Sequence, residues 1–385
     1  MLFKRTTLFT CFGFKIKADL SWLFLSVLIY WMLGTHTYPQ IIHGQSPDTY
    51  SIMAMVTLIF LMVSIIAHEI AHAIVAEHYH MPIESITLFI FGGVAEMKGD
   101  PSHPKGEFLM ALAGPAMSAL LAGIFYGANL TYLFYEPNGP TAEVLHFLGV
   151  LNLLIAIFNI IPAFPLDGGR ALRAVIWKYN GNLVLATRIA SSLGVAFAYF
   201  LIGYALWIIM KYSDVMSGMW TGIMGLFLHA ACGYNVRQTE QRSLLGIEKV
   251  SRFMHSQIVT ITPDLGINEL IDQYLYKHYQ KAFPVIENGQ LAGIVTLQAL
   301  LSLDRSKWQW RHVRSVMERP GEENTVAFDA SAYEAFDTMQ KFGKELLMVT
   351  DENNRFMGVI HFRDVAAFLS ITLKIDQNRA VAESR

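Results

Sequence analysis

Six long apolar runs occupy the first 234 residues, and runs of this length are hard to fold in water. A helix that crosses the hydrocarbon core of a bilayer needs about 20 mostly apolar residues. The runs lie at residues 18–35, 51–78, 107–135, 142–165, 183–210 and 214–234. They predict an α-helical polytopic membrane protein with about six transmembrane helices, followed by a soluble α/β region. No cleavage signal follows the first run, so we expect this run to be a retained helix rather than a signal peptide.

Positive charges alternate between the loops, and this alternation predicts the orientation in the membrane. Cytoplasmic loops of membrane proteins carry an excess of Lys and Arg. Segments 1–17, 79–106 and 166–182 contain such residues, whereas segments 36–50 and 136–141 contain none. We therefore expect a multi-pass protein of the cell membrane with both termini in the cytoplasm and the lipid bilayer as a partner.

Composition excludes some classes of function. The formal net charge of −2 gives no electrostatic reason to expect a nucleic-acid partner. Cys11 and Cys232 are far apart and outside any Cys-x-x-Cys spacing, so we expect two free thiols and no cysteine metal site.

The second apolar run contains His-Glu-x-x-His at residues 68–72. Residues four apart on a helix lie one above the other, so His68 and His72 can bind one metal ion, and Glu69 can reach a water on that metal. A surface helix with two solvated histidines is the alternative. Ionisable groups inside a membrane span cost about 2.5–3.5 kcal/mol each on insertion scales, which favours a functional interior.

A catalytic zinc ion normally takes three protein ligands, and Asp167 is the best candidate for the third. It follows Pro162 and Pro165, which break the preceding helix. The alternative is a plain Asp-Gly-Gly turn that ends a helix. Asn159, in the same interrupted stretch, either donates a hydrogen bond to a developing oxyanion or satisfies carbonyls that the prolines leave free.

These two motifs resemble those of the site-2 protease family of intramembrane metalloproteases. Further matches are Phe91-Gly-Gly-Val-Ala and Ala113-Gly-Pro, and together they cover most of residues 10–235. The resemblance implies one Zn²⁺ per chain, transmembrane protein substrates, and cleavage within or near the bilayer. It implies His68, His72 and Asp167 as zinc ligands, Glu69 as catalytic base and Asn159 as a transition-state contact. Ser118 stands where we expect Asn, so no role is predicted for it.

Residues 85–97 are rich in strand-forming side chains, and we interpret Gly92 and Gly93 as a turn. By resemblance this segment is a membrane-associated sheet beside the active site. Its edge, including Gly92 and Gly93, could bind an unwound substrate by strand addition. A packed hairpin without a substrate role is the alternative.

The soluble region contains an internal repeat, with Gly293-Ile-Val-Thr and Gly358-Val-Ile-His at equivalent positions. Its β-α-β-β-α order resembles a tandem pair of cystathionine-β-synthase-type (CBS) domains, which often bind adenine nucleotides and form homodimers. Each copy keeps half of the nucleotide motif, Thr296 in the first and Asp364 in the second, which makes ATP, ADP or AMP candidate ligands. A carboxylate at a helix N-terminus also stabilises the helix dipole without any ligand.

The predicted domains are a protease domain (1–238), a linker (239–249), two CBS domains (250–312 and 313–374) and a tail (375–385). The predicted function is intramembrane zinc endopeptidase, regulated by the CBS pair through adenine nucleotide binding. A CBS-regulated transporter is disfavoured because intramembrane charge is sparse outside the two motifs. A catalytically silent scaffold is disfavoured because it has no chemical need of Glu69.

Overall fold

The structure is a computed structural model, and it describes residues 6–81, 83–89, 92–97, 101–133, 139–278 and 280–383. Phe91 and part of the 136–141 loop lie outside these residues. The chain divides into two compact units, Met1–Thr239 and Glu240–Arg385.

Long helices build the first unit. Helix α1 (Leu20–Met32) continues through a π-helical turn, Leu33–Thr37, into the short α2 (Tyr38–Ile41). The other helices are α3 (Pro47–His78), α4 (Pro104–Leu133), α5 (Pro140–Ile160), α6 (Asp167–Asn180), α7 (Leu183–Tyr212) and α8 (Val215–Leu245). Within the described residues, six helical segments are long and apolar enough to cross a membrane, which confirms the predicted fold class.

The helix ends follow local chemistry. Asp19, Ser46 and Asn182 cap α1, α3 and α7, and each side chain accepts a backbone N–H of the first turn. Helix α5 ends at Ile160, before Pro162, whereas the fourth apolar run predicted a helix to residue 165. Apolarity alone did not reveal this end, because the segment after Ile160 is also apolar, but the two prolines in that segment predicted the break.

A four-stranded sheet lies beside the helices, in the order β1 (Thr6–Cys11), β2 (Phe14–Ala18), β3 (Ile83–Phe89) and β4 (Gly92–Met97). Strand β2 pairs parallel with β3, and the other two pairings are antiparallel. The buried face of the sheet packs on α1 and α3 through Phe14, Ile16, Trp22, Ile66, Ile70, Ile86 and Leu88. In the strand order, β1 and β4 form the two edges of this sheet.

Helix α4 packs against α3, α5 and α6. Its buried face includes Glu107, Met110, Gly114 and Ser118, which follow each other at intervals of three or four residues. A face with this spacing runs along one side of a helix, so α4 presents a continuous surface to its neighbours.

The second unit contains two hairpins, β6 (Ala282–Glu287) with β7 (Gln290–Thr296) and β9 (Leu346–Thr350) with β10 (Phe356–His361). Strands β5 (Met254–His255) and β8 (Thr325–Ala327) complete the second sheet, in the order β5-β10-β9-β8. The helices are α9 (Val250–Phe253), α10 (Ile267–Glu269), α11 (Tyr276–His278), α12 (Leu297–Leu301), α13 (Ala332–Phe342) and α14 (Phe362–Glu383). A π-helical turn, Leu270–Leu275, joins α10 to α11.

The two hairpins pack against each other through Ala282, Leu291, Ile294, Met348 and Val359. The repeat found in the sequence therefore forms two similar halves around shared apolar contacts. Helix α14 runs to Glu383, so residues 375–383, which the sequence suggested as a separate tail, continue this helix.

Candidate metal centre

Three buried side chains from two helices converge within the first unit. His68 and His72 lie on α3, and Asp167 is the first residue of α6. The two Nε2 atoms are 3.1 Å apart, and each lies 3.2 Å from Oδ2 of Asp167. Their exposed fractions are 5%, 4% and 8%. The structure thus brings together the residues that the two sequence motifs singled out.

The size and chemistry of this triangle fit a zinc ion. Zinc–ligand distances of about 2.0–2.2 Å in a tetrahedral site put the ligand atoms roughly 3.3–3.5 Å apart. Nδ1 of His72 donates to the carbonyl oxygen of Met110 at 2.6 Å. A neutral imidazole then presents a lone pair at Nε2. Facing lone pairs on Nε2 and on a carboxylate oxygen need a cation between them.

Space for an ion is kept by Gly114 on α4. A Cβ atom at this position would overlap Nε2 of His72 and would lie 2.6 Å from Nε2 of His68. Any side chain here would occupy the volume in front of the metal-binding atoms. The Ala113-Gly-Pro motif therefore requires a glycine at this position for steric reasons.

Helix α4 also orients both imidazoles. Ser118 Oγ lies 2.9 Å from Nδ1 of His68, and the Met110 carbonyl holds Nδ1 of His72. Hydrogen bonds to the second ring nitrogen fix the tautomer and the ring orientation of metal-binding histidines. No role was predicted for Ser118. The signal that could have found it is its spacing of four residues from Gly114 on the buried face of α4.

The position of Asp167 is fixed by close packing of the backbone after it against the backbone of residues 160–164. A Cβ atom on Gly168 would overlap the carbonyl oxygens of Ile160 and Ile161, and one on Gly169 would overlap the backbone of Phe164. The first turn of α6 therefore lies directly against the end of α5. Asp167 begins a helix rather than ending one, so the alternative of a helix-ending turn is wrong.

Glu69 projects from α3 towards strand β4. A Cβ atom on Gly93 would be 2.5 Å from Cγ of Glu69 and 2.8 Å from its Oε1. Gly93 pairs with Leu88 and Gly92 with Phe89, so both glycines belong to β4. The prediction of a Gly92-Gly93 turn is wrong, because both residues are paired within the strand. Gly93 leaves room for the side chain of Glu69.

Asn159 lies in the last turn of α5 and donates from Nδ2 to the carbonyl oxygen of Ile155 at 3.1 Å. The Ile155 carbonyl is not one of those that Pro162 and Pro165 leave free, so this bond matches neither of the two arrangements considered for Asn159. A transition-state contact by Asn159 stays a prediction.

The second unit contains a cavity of about 550 Å³, lined in part by Gln280, Lys281, Glu345, His361 and Arg363. Burial lowers the pKa of the His361 imidazole, although the nearby Asp364 carboxylate opposes this effect. Oδ2 of Asp364 lies 2.8 Å from Nε2 of His255. Thr296 caps α12, and its hydroxyl accepts the N–H of Ala299 at 3.2 Å.

A bundle of membrane-length helices with a buried His-His-carboxylate centre and an adjacent Glu defines a membrane-embedded metallopeptidase. Residues 56–137 and 137–202 match the family model for peptidase family M50, and residues 250–306 and 313–371 match that for the CBS domain. Residues 56–202 therefore form a peptidase family M50 domain, the family of the site-2 proteases, and a CBS pair follows towards the C-terminus. The protein is a zinc metallopeptidase.

Similar proteins cover nearly the whole chain. Zinc metalloprotease MJ0392 of Methanocaldococcus jannaschii is 29% identical over 365 residues, 94% of this chain and 96% of that protein. Rip3 of Mycobacterium tuberculosis is 28% identical over 360 residues, 93% of this chain and 91% of its own. A solved structure, the site-2 protease from Methanocaldococcus jannaschii, aligns with 60% of this chain and 94% of its own at 26% identity and a TM-score of 0.41.

Proposed function

We propose that this protein is an intramembrane zinc endopeptidase that hydrolyses peptide bonds within or near transmembrane segments of membrane-protein substrates. The observation that carries the proposal is the buried triangle of His68, His72 and Asp167, with edges of 3.1–3.2 Å. Its histidines come from α3, a helix of membrane-spanning length, and its carboxylate comes from α6, which follows the end of α5.

His68, His72 and Asp167 would hold the ion as three ligands and leave a fourth position open. A bound zinc ion supplies a Lewis acid for the substrate carbonyl and lowers the pKa of a nearby water. Glu69, next to His68 on α3, accepts the proton of the attacking water and passes it to the leaving amine. Asn159 would donate to the developing oxyanion after exchanging its bond to Ile155.

Strand β4 supports a mode of substrate binding. It is one of the two edge strands of its sheet, and Gly93 brings its backbone against Glu69. A substrate helix shields its own peptide bonds, so it must unwind before cleavage. An unwound segment that adds to this edge beside Gly92 and Gly93 would present an extended backbone next to the catalytic carboxylate.

The cavity of the second unit supports regulation by an adenine nucleotide such as ATP, ADP or AMP. Asp364 would bind ribose hydroxyls after release from His255, and Thr296 is the corresponding residue of the first copy. Lys281 and Arg363 would face the phosphates, and His361 lines the same cavity. Homodimer formation through the CBS domains belongs to the same proposal.

The charge pattern of the loops supports cytoplasmic N- and C-termini in the cell membrane. The same proposal includes a protease domain at residues 1–238 and two CBS domains at residues 250–312 and 313–374.

The test uses the full-length protein in lipid nanodiscs, with bound zinc measured by elemental analysis and cleavage measured on a transmembrane test substrate. Glu69→Gln should keep its zinc and lose cleavage, because the amide cannot accept a proton. Lys178→Gln, at an exposed position of α6, is the matched control and should cleave like wild type. Cleavage that survives in Glu69→Gln would refute the mechanism.

A further inference from the structure

A buried ion pair joins α4 to α6. Glu107, in the first turn of α4, is 0% exposed, and Arg173 on α6 is 6% exposed. Nε of Arg173 donates to Oε1 of Glu107 at 2.6 Å, and Nη2 donates to the same oxygen. Taking two charges out of water is costly, and such a pair is a weak source of stability. Stability alone therefore does not account for this pair.

Arg173 also contacts the segment that precedes Asp167 and the helix α7. Its guanidinium carbon lies 5.0 Å from the centre of the Phe164 ring, and Nη1 lies 3.5 Å from Oγ1 of Thr187 on α7. Phe164 precedes Asp167 by three residues, and its carbonyl oxygen accepts from Sγ of Cys232 at 2.8 Å. Arg173 belongs to the helix that begins at Asp167. Its guanidinium also contacts Phe164, in the segment immediately before Asp167.

The partner of Arg173 lies on the helix face that orients the histidines. Glu107, Met110, Gly114 and Ser118 share the buried face of α4. The Met110 carbonyl and the Ser118 hydroxyl contact Nδ1 of His72 and of His68. The Glu107–Arg173 pair is therefore a direct link between the helix that orients two ligands and the helix that carries the third.

We propose that Glu107 and Arg173 are positioning residues that hold the Asp167 carboxylate at the correct distance from the two imidazoles and so set the zinc affinity. The inference rests on the zinc site proposed above. Arg173 follows Asp167 by six residues, roughly 9 Å along the axis at 1.5 Å per residue. A ligand constellation of this kind must be held within about 0.5 Å of its productive geometry, so a small shift of α6 weakens it.

The test measures zinc affinity by competition with a chelator in full-length protein in nanodiscs. Glu107→Gln removes the negative charge and Arg173→Lys removes the fork of donors, so each should weaken zinc binding about 10–100-fold. Lys178→Gln, on the exposed side of the same helix, should bind zinc like wild type. Cleavage lost at limiting free zinc should return when zinc is raised to saturation.

A role in packing alone makes a different prediction, namely a lower thermal midpoint of the zinc-free protein with unchanged zinc affinity of the folded fraction. That result would overturn the inference. If Glu107→Gln fails to fold, Arg173→Lys keeps the charge and decides the question by the same measurement. Wild type that binds no zinc would refute the metal site itself, whereas equal affinities of wild type and variants refute only the positioning role.

Discussion

Ser118 Oγ lies 2.9 Å from Nδ1 of His68, fifty residues away in the sequence. Both side chains are buried, and through this contact α4 restrains the imidazole ring of His68 on α3. The same helix controls the second imidazole with a backbone carbonyl, which no side-chain substitution can remove. His68 is consequently the more vulnerable of the two histidines.

Ser118→Ala should weaken zinc binding about tenfold, because His68 loses the partner that orients its ring. Competition with a chelator would measure this change. Ser192→Ala, at an exposed position of α7, serves as the control and should not alter zinc affinity. Equal affinities of Ser118→Ala and wild type would show that the hydroxyl does not orient the ring.

Asp167→Ala should lower the zinc content of the purified protein, because the ion loses one of three protein ligands. Elemental analysis after dialysis against a weak chelator would measure the loss, and cleavage should fall with it. Full occupancy in this variant would remove Asp167 from the ligand set.

Gly93→Ala should reduce cleavage at least tenfold while zinc stays bound, because the new methyl group meets Glu69 rather than the ligands. The measurement is turnover of a transmembrane substrate together with zinc content. Gly127→Ala on α4 is the matched control, since a Cβ there meets nothing within 4 Å. Unchanged turnover in Gly93→Ala would mean that β4 and Glu69 can separate freely.

His361→Gln should make the second unit less sensitive to acid. Burial lowers the pKa of His361 in the folded protein, so the unfolded chain takes up a proton first as the pH falls below the ordinary value of 6.5. Proton uptake by the unfolded chain therefore destabilises the folded state progressively as the pH falls from 6.5 through the lowered pKa, and this penalty is absent at higher pH. The charges around it include Asp364, Arg363, His255 and Glu345.

Hydrogen exchange of peptides from residues 346–361 in the full-length protein, compared between variant and wild type at each pH, would measure this effect. The two proteins should converge at pH 8 and differ at pH 5. Parallel behaviour over the whole range would contradict a role for His361.

The sequence predicted the parts of the structure that depend on local pattern. Membrane helices need only a long apolar run, and α3, α4 and α7 lie within a few residues of their predicted positions. His68 and His72 share a helix face by spacing alone. Asp167 was singled out because a two-histidine motif calls for a third ligand, and its role as that ligand stays a prediction.

The site residues that the sequence did not predict, or predicted wrongly, depend on tertiary packing. Ser118, Glu107 and Arg173 acquire their partners only when α4 lies between α3 and α6. Gly93 was interpreted as a turn residue because glycine favours turns, yet its neighbour in space, Glu69, is 24 residues away in the sequence. Pattern alone could not distinguish a glycine needed for backbone freedom from one needed for clearance.

The close approach of β4 to Glu69 bears on which peptides the proposed enzyme would select. Backbone amides and carbonyls are the same in every residue, so pairing along this edge is indifferent to side-chain identity. The enzyme would then distinguish substrates by the energy needed to unwind the substrate helix at the scissile bond. Under this mechanism, glycine or proline near that bond would speed turnover, and a stretch of strong helix formers would resist it.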